Sequence, residues 1–385
     1  MDNLGMTQAE LEQAGGYWTA REIAQQPSVW VEIEQLMAQG AGALRAFLDP
    51  LLRRPELRIV LTGAGTSSFV GECLAPALRR AGLDAQAIAT TDLVGSPDRW
   101  LTAAAPILLV SFARSGNSPE SVAALTLAER AARECHHLIV TCNQEGELYR
   151  YARSARNAHA VLLPEHTNDR GFAMTSSFTG MLLAAAQAFG LLPELKAAAL
   201  ARGAAQVLQA AIPVAGSLAR SGFERVVYLG SNECKGLARE AALKMLELSD
   251  GRVVALPETP LGFRHGPKTI VNGKTLVVLF LSNDPYSRRY ELDVLNELRA
   301  DGIAARVLAL SAVGVGHAQH PDTIVVPDTA SASNLGLCFP YAVFAQVMAF
   351  QQSRALGLRP DVPNARGVVN RVVQGVSIYP WNPPG

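Results

Sequence analysis

A run of charged residues ending at Glu247 has the types and the spacing that proton transfer needs. Glu240, Lys244 and Glu247 stand at positions i, i+4 and i+7, so a helix places all three on one face. Residues 263–267 follow soon afterwards and carry His265. Carboxylates and imidazoles are common general acids and bases in enzymes. The pattern therefore predicts a proton-transfer site, and the alternative is a solvated helix face with ordinary ion pairs.

The other face of the same helix carries apolar residues at helical spacing. These residues are Leu237, Ala241, Met245 and Leu248. Such a stripe predicts that this face packs against a core. A buried apolar face would hold the charged face in a fixed position.

Two loops rich in glycine and hydroxyl groups follow strand patterns in the first half of the chain. One is Gly-Ala-Gly-Thr-Ser-Ser at residues 63–68, and the other is Ala-Arg-Ser-Gly-Asn-Ser-Pro at residues 113–119. At the carboxyl ends of parallel strands such loops meet helix N-termini, which favour anions. The loops therefore predict a phosphate cradle. The alternative is plain helix capping, with Ser118 as the N-cap and Pro119 as the first helical residue.

A nucleotide site fits these loops poorly. A third glycine does not follow Gly65 at the dinucleotide spacing, and neither loop is followed by a Walker lysine. The corresponding loops of the second half carry Glu233 and Asp284, whose carboxylates repel phosphate. We therefore expect the anion to bind in the first half.

Buried-strand patterns alternate with helical segments, and the alternation occurs twice. The first set of strands is predicted at residues 58–62, 106–112, 137–141 and 160–163, and the second at 226–231, 275–282, 305–310 and 323–328. The two sets keep an offset of about 165 to 170 residues, which indicates two copies of one unit. The prediction is an α/β protein with two tandem doubly wound, flavodoxin-like parallel sheets.

Four segments are predicted along the chain. They are an N-terminal helical segment at 1–50, a phosphate-binding domain at 51–200, a domain with the charged helix at 201–370 and a tail at 371–385. In the first segment, Thr19 and Glu22 have the spacing of a capping box, which predicts a helix start there. Pro27 predicts a break between two helical segments.

Composition narrows the class of protein. The 385 residues are 49% hydrophobic, and Lys+Arg equals Asp+Glu at 34 each. Zero net charge argues against a nucleic-acid or membrane-surface partner held by bulk electrostatics. Five cysteines without C-x-x-C spacing indicate neither a disulfide framework nor a zinc site. Without an apolar N-terminal region or a run of ~20 apolar residues, we expect a soluble cytoplasmic protein.

Several motifs together resemble one known family. The segments GAGTSS and SFARSGNSPES between strand and helix, together with EAALKMLELSDG and FRHGP, resemble the sugar isomerase (SIS) domain family. The likeness is to its double-domain phosphosugar members, such as the isomerase half of glucosamine-6-phosphate synthase. Residues 17–23, 172–178 and 370–376 are similar to the bacterial galactosamine-6-phosphate deaminase/isomerase group, formerly called tagatose-6-phosphate ketose/aldose isomerase.

The resemblance implies roles for individual positions. Glu247 matches the glutamate that moves a proton between C1 and C2, with Lys244 and Glu240 at flanking polar positions. His265 matches the histidine that assists ring opening, which in relatives can come from a neighbouring subunit. The implied phosphate and sugar ligands are Gly65, Thr66, Ser67, Ser68, Arg114, Ser115, Asn117, Ser118 and Ser176. Where the synthase has a lysine that reaches the open-chain sugar, this chain has Asn370 beside Arg371.

The resemblance also implies an activity. It points to a cytoplasmic deaminase/isomerase that converts galactosamine 6-phosphate to tagatose 6-phosphate and ammonia, without metal or organic cofactor. The alternatives are a simple ketose/aldose phosphate isomerase, a glucosamine-6-phosphate deaminase and a phosphosugar-sensing regulator. A homodimer or homotetramer is expected, with the active site near the subunit interface and with neither nucleic-acid nor membrane partners.

The other histidines fit structural or solvated roles. This holds for His136, His137, His317 and His320. His166 is less clear, because its loop leads into the segment that begins near Met174 and could line the pocket.

Overall fold

The chain divides into two compact units, each built around one parallel sheet. The computed structural model describes residues 3–101, 104–193, 196–315, 320–373 and 375–382. The first-sheet unit comprises Val29–Asp169, Ser176–Leu191 and Val369–Gly385. The second-sheet unit comprises Met1–Ser28, Arg170–Thr175 and Leu192–Val368. Each unit thus takes segments from distant parts of the sequence, and the boundaries proposed near residues 50, 200 and 370 stay predictions.

Strands and helices alternate along most of the chain. The strands are β1 Arg58–Thr62, β2 Asp84–Ala87, β3 Ile107–Ala113, β4 Cys135–Thr141, β5 Ala158–Leu162, β6 Arg225–Gly230, β7 Val254–Glu258, β8 Thr275–Phe280, β9 Arg306–Ser311 and β10 Thr323–Val325. The helices are α1 Gln8–Ala14, α2 Tyr17–Leu52, α3 Thr66–Arg80, α4 Thr90–Gly95, α5 Pro97–Trp100, α6 Pro119–Ala131, α7 Glu147–Ser154, α8 Ser176–Ala188, α9 Ala197–Arg220, α10 Glu233–Leu248, α11 Pro260–Phe263, α12 Pro285–Asp301 and α13 Asn334–Ala355. None of the helices in the described ranges is long and apolar enough to cross a membrane.

The first sheet has the strand order β2-β1-β3-β4-β5, and all neighbouring strands are parallel. Every residue of the central strand β3 is buried, as expected for a strand covered by helices on both faces. The order is that of flavodoxin-like doubly wound sheets. In this order the chain leaves β1 and β3 towards opposite edges, so their carboxyl ends form the switch point where ligands bind. Both loops of the predicted phosphate cradle lie there.

The second sheet repeats this order. Its strands run β7-β6-β8-β9-β10 in parallel, which is the order of the first sheet when each is numbered from its own first strand. The register agrees as well, because Arg58 pairs with Ile107 in the first sheet and Arg225 pairs with Thr275 in the second. The predicted fold of two copies of one parallel α/β unit, preceded by helices, is therefore confirmed.

Helix α13 forms the centre of the second-sheet unit. Every residue from Asn334 to Ser353 is buried, so the helix is covered on all sides. It packs against α9 and α10, and α10 also contacts β6 and β7. The predicted apolar face of α10 is buried between these elements, because Leu237, Ala241, Met245 and Leu248 are all fully buried.

Two edge strands lack a clear sequence signal. β2 has the sequence Asp-Ala-Gln-Ala, and β7 contains Pro257. Each lies at one edge of its sheet. An edge strand pairs on one side and can carry a proline, because it needs fewer N–H donors. Short apolar runs identified the inner strands, but they do not identify β2 and β7.

The predicted capping box at Thr19 and Glu22 is wrong. The capping box of the N-terminal segment lies at Thr7 and Glu10, in front of α1. Helix α2 already begins at Tyr17, and the N–H groups of Trp18 and Thr19 donate to the Asp361 carboxylate at 3.1 and 2.8 Å. The cap of α2 is thus a residue far along the chain.

The predicted helix break at Pro27 is also wrong, because Pro27 lies inside the continuous helix α2. Proline lacks the N–H that would bond the carbonyl of residue i−4, which here is Ile23. The side-chain amide of Gln26 donates to that carbonyl at 3.0 Å. Gln26 thus replaces the missing donor, and the helix continues.

Candidate active site

The loop between β1 and α3 is shaped by two glycines. Gly65 has φ +56° and ψ −127°, a conformation that side chains rarely tolerate. A Cβ on Gly63 would lie 2.6 Å from the Cβ of Ser67. The Ser68 hydroxyl donates to the Gly65 carbonyl at 3.0 Å. Thr66, Ser67 and Ser68 are buried, so the first turn of α3 presents hydroxyl groups in a sheltered position.

The loop between β3 and α6 is held by hydrogen bonds within the first-sheet unit. The Asn143 side chain donates to the Ser115 carbonyl at 2.8 Å. The Asn117 side-chain oxygen accepts from the Glu147 N–H at 2.9 Å, so it caps α7. This occupies the side-chain oxygen of Asn117, one of the predicted sugar-phosphate ligands.

Ser118 is the N-cap of α6, as its sequence predicted. Its hydroxyl oxygen accepts from the Ser121 N–H at 3.3 Å, and its O–H donates to the Ser121 hydroxyl oxygen at 2.6 Å. Pro119 is the first helical residue. The capping role is therefore real, and any phosphate contact by Ser118 would be an additional one.

Ser176 begins α8, and its backbone is already used by a neighbouring carboxylate. The Ser176 N–H donates to Asp169 at 3.1 Å, and the Ser177 N–H and hydroxyl donate to it at 3.0 and 2.5 Å. Both Ser176 and Asp169 are fully buried. Asp169 thus caps α8 from within the first-sheet unit.

The charged face of α10 is a buried ion cluster. The Lys244 ammonium lies 3.6 Å from a Glu240 oxygen and 2.5 Å from a Glu247 oxygen. The side chains of Lys244 and Glu240 are 1% and 2% exposed, and that of Glu247 is 23% exposed. The alternative of a solvated helix face is therefore wrong. Of the three groups, Glu247 is the one that a substrate could reach.

The loop that carries His265 is anchored on both sides of the histidine. Arg264 pairs with Glu297 of α12 at 2.7 Å, and Lys268 pairs with Asp301 at 2.6 Å. The intervening Gly266 has φ +114°. His265 itself is exposed. The ion pairs fix the backbone and leave the imidazole presented at the surface of the second-sheet unit.

Comparison with known proteins identifies the family. Residues 51–191 match the SIS domain. The D-galactosamine-6-phosphate deaminase AgaS of Escherichia coli is 46% identical over 374 residues, which cover 96% of this chain and 97% of that protein. The chain belongs to the SIS-domain phosphosugar isomerase family. The resemblance drawn from the sequence motifs is confirmed.

Two further similarities extend over nearly the whole SIS-domain chain. The D-galactosamine-6-phosphate deaminase AgaS of a Shewanella species is 40% identical over 391 residues, covering 98% of this chain and 96% of that protein. The crystal structure of tagatose-6-phosphate ketose/aldose isomerase from Escherichia coli is 42% identical with a TM-score of 0.89, and the match covers 97% of this chain and 98% of that one.

The loop after β6 in the second SIS sheet has nearly the same backbone conformation as the loop after β1 in the first. Asn232 has φ +51° and ψ −119°, close to the values of Gly65. A Cβ on Gly230 would lie 2.9 Å from the Cβ of Cys234, as one on Gly63 would lie near Ser67. The two loops thus share one geometry at equivalent strand ends.

An internal carboxylate lies against the second loop of this SIS sheet. When the strand register is extended past β8, Ser282 corresponds to Arg114 after β3. The N–H and hydroxyl of Ser282 donate to Glu291 at 2.7 and 3.0 Å. Glu291 is fully buried, and burial raises the pKa of its carboxyl, against the opposing effect of these hydrogen bonds. Glu291 thus takes up the N–H and hydroxyl donors of Ser282, which a phosphate at this loop would need.

The histidines for which the sequence predicted structural or solvated roles, together with His166, have structural surroundings where they are described. His137 is fully buried with its Nε2 2.8 Å from Glu129, and burial lowers its pKa. His136 lies 2.8 Å from Glu134, and His166 lies 3.0 Å from Glu32. His320 accepts from the Asp322 N–H at 3.1 Å, whereas His317 lies outside the described residues.

Sequence reasoning missed two residues that contact predicted phosphate and sugar ligands. Asp169 contacts Ser176, and Arg371 contacts Arg114. Arg371 was noted as a neighbour of Asn370 but received no role. In the structure it contacts the Asp169 carbonyl, and its own carbonyl accepts from Arg114. Their separation of 202 residues hides this contact from any local pattern. The one available signal was that each lies in or beside a segment similar to the deaminase/isomerase group.

Proposed function

We propose that the protein converts galactosamine 6-phosphate and water to tagatose 6-phosphate and ammonia. The observation that carries the proposal is the α10 cluster, in which a buried lysine holds one partly exposed carboxylate, that of Glu247. The near-full-length similarity to proteins named D-galactosamine-6-phosphate deaminase supports this substrate. The cluster supplies the proton carrier that such a reaction requires.

The reaction needs one proton carrier for two adjacent carbons. In the open-chain aldose form, Glu247 removes the proton from C2 while the substrate's own ammonium group gives a proton to the C1 oxygen, which yields an enolamine with a hydroxyl group on C1. The same carboxyl group returns a proton to C1, which leaves an iminium at C2. Water adds to that carbon and ammonia leaves, so that the ketose phosphate forms. Each step is a proton transfer, an addition of water or a loss of ammonia, and none changes the overall oxidation level of the substrate.

Lys244 supports this role through its charge. A carboxylate that accepts a hydrogen bond from an ammonium is held in one position. Glu240 lies on the far side of Lys244, 3.6 Å from the ammonium, so that the lysine is fixed between two carboxylates. We therefore assign Lys244 and Glu240 as positioning residues and Glu247 as the base.

The first-sheet loops would hold the phosphate. Their buried hydroxyls, the guanidinium of Arg114 and the N-termini of α3 and α6 all favour an oxyanion. His265 would assist ring opening by moving a proton between the ring oxygen and the C1 hydroxyl. Its exposure fits a contribution to the site of a second subunit, and we further propose a homo-oligomer that acts in the cytoplasm.

A second candidate activity is simple ketose/aldose isomerisation of tagatose 6-phosphate. The name of the similar Escherichia coli crystal structure favours it. It shares the proton transfer between C1 and C2 and lacks the loss of ammonia. Deamination of glucosamine 6-phosphate is a third possibility, which differs in the configuration at C4. A phosphosugar-sensing regulator would bind sugar phosphate without turnover.

An ammonia assay with purified protein separates these possibilities. We expect ammonia and ketose phosphate in equal amounts from galactosamine 6-phosphate, at a higher kcat/KM than from glucosamine 6-phosphate. Interconversion of tagatose 6-phosphate and galactose 6-phosphate without ammonia from any hexosamine 6-phosphate would support the simple isomerase instead. Binding of sugar phosphate without any turnover would support the regulator.

A further inference from the structure

Arg371 joins the carboxyl-terminal segment to two loops of the first-sheet unit. Its Nε donates to the Asp169 carbonyl at 2.8 Å, and its Nη2 donates to the Asn168 side-chain oxygen at 3.0 Å. Its own backbone carbonyl accepts from Nη2 of Arg114 at 2.6 Å. The side chain of Arg371 thus binds the loop before α8, and its backbone binds the loop after β3.

Asp169, whose carbonyl Arg371 binds, is itself held in place. Asp169 is fully buried, and its carboxylate caps α8 through the N–H groups of Ser176 and Ser177. The Arg371 guanidinium, which donates to the carbonyl of this residue, is therefore attached to a rigid part of the unit. Because the anchor is rigid, the position of the Arg371 carbonyl is well defined.

The Arg114 side of these contacts is buried, whereas Arg371 itself is half-buried. Arg114 is 6% exposed. The thiol of Cys142 interacts electrostatically with Asp169, Arg114 and Arg371. Cys142 is buried, and burial raises the pKa of its thiol to about 12. Hydrogen bonds to a charged group are stronger in such surroundings than in water. The bond between the Arg371 carbonyl and Arg114 should therefore restrain the guanidinium effectively.

The segment has a second anchor towards its end. Trp381 packs against a core cluster of the first-sheet unit that includes Leu93, Leu101 and Leu127. The chain between Arg371 and Trp381 is therefore attached to the same unit at both ends. Such attachment makes the position of Arg371 a property of the folded unit rather than of a loose tail.

We propose that Arg371 is a positioning residue for phosphate recognition and acts through Arg114. Its side chain holds the carboxyl-terminal segment on the Asn168–Asp169 loop, so that its carbonyl orients the Arg114 guanidinium towards the cradle. An arginine restrained before binding loses less side-chain entropy when the phosphate arrives. The inference rests on the proposed function, in which Arg114 binds the substrate phosphate.

The test is a double-mutant cycle between the two arginines. In Arg371→Met we expect KM for galactosamine 6-phosphate and the inhibition constant of inorganic phosphate to rise ~10-fold, with kcat changed less than ~3-fold. In an Arg114→Met background the same change should have little further effect, because its target is gone. Arg366→Met removes an exposed arginine from the preceding segment and serves as the matched control, with unchanged constants.

Two more variants guard against loss of folding. Asn168→Ala removes one anchor of Arg371 and should weaken phosphate binding in the same direction by a smaller factor. Arg371→Lys keeps the positive charge but loses the planar guanidinium, whose separate nitrogens bind Asp169 and Asn168, so an intermediate rise in KM is expected. An effect of Arg371→Met that persists at full size beside Arg114→Met, that appears in kcat with KM unchanged, or that is absent would overturn the proposal.

Direct binding separates this inference from the proposed activity. If the wild-type protein turns over none of the sugar phosphates, calorimetry with inorganic phosphate and galactosamine 6-phosphate in the same variants still measures the coupling. A wild-type protein without turnover but with coupled phosphate binding refutes the activity and supports the role of Arg371. A wild-type protein that binds neither ligand overturns the positioning role.

Discussion

The ammonium of Lys244 lies 2.5 Å from Glu247, one helical turn away on α10, and 3.6 Å from Glu240 on its other side. The lysine is buried, so one fixed positive charge is shared between a buried and a partly exposed carboxylate. This arrangement separates the roles of two residues of the same type. Glu240 balances charge inside the unit, and Glu247 keeps part of its side chain exposed.

Replacing Glu247 by glutamine should remove the proton carrier. We expect kcat to fall by ~10²–10⁴-fold, the usual contribution of a general base, while affinity for galactosamine 6-phosphate changes little. Steady-state kinetics and calorimetry measure the two quantities. Glu224→Gln, which alters an exposed carboxylate paired with Lys274, is the matched control and should retain full activity. Full activity in Glu247→Gln would contradict the assignment.

Replacing Lys244 by methionine should destabilise the second-sheet unit. It removes the Lys244 ammonium from the buried Glu240 carboxylate, and breaking a buried ion pair costs about 3–5 kcal/mol. Chemical denaturation measures the free energy of unfolding. The double variant Glu240→Leu/Lys244→Met should recover much of the loss, since an apolar pair can replace a buried ion pair. Equal stability of the single and double variants would contradict this account.

Glu291 should make stability depend on pH in a known direction. Because burial raises its pKa above the ordinary value of 4.5, the folded state binds the proton more tightly than the unfolded state. The resulting stabilisation is fully present below pH 4.5 and is lost as the pH rises through the folded pKa. The unfolding free energy of the wild type relative to Glu291→Gln should therefore fall as the pH rises. Denaturation curves of both proteins from acidic to neutral pH test this, and parallel pH profiles would refute it.

Two substitutions of Ser118 should separate helix capping from phosphate binding. Ser118→Ala removes the α6 cap and should cost about 1 kcal/mol of stability as well as affinity. Ser118→Asp keeps a good N-cap but places a negative charge at the cradle, so stability should be retained while KM rises by ~10-fold or more. Thermal unfolding and kinetics measure the two effects. An unchanged KM in Ser118→Asp would leave Ser118 with the capping role.

Local patterns gave correct predictions for several elements whose structural cause is local. The buried strands β1, β3, β4, β6, β8 and β9 follow from short apolar runs, and the repeat follows from their constant offset. The start of α6 follows from Ser118 and Pro119, which are adjacent in sequence. The edge strands β2 and β7 were missed because pairing, not composition, makes them strands.

Predictions failed where a distant residue supplies the deciding contact. The start of α2 depends on Asp361, more than three hundred residues away from Trp18. A local motif at Thr19 and Glu22 therefore gave the wrong cap. Glu22 instead accepts from the N–H groups of Arg170 and Gly171, at 2.5 and 3.2 Å. Carboxylates accept from whichever donors folding brings near, and sequence spacing does not reveal them.

The sequence by itself determined the two parallel sheets, the loops at the first switch point and the common face of Glu240, Lys244 and Glu247. These depend on strand and helix periodicity, which a single segment already carries. The tertiary structure decided that Glu240 and Lys244 are buried while Glu247 is partly exposed, and that Arg371 reaches Arg114 and Asp169. Burial and long-range hydrogen bonds depend on what packs against a residue, and the fold alone sets that.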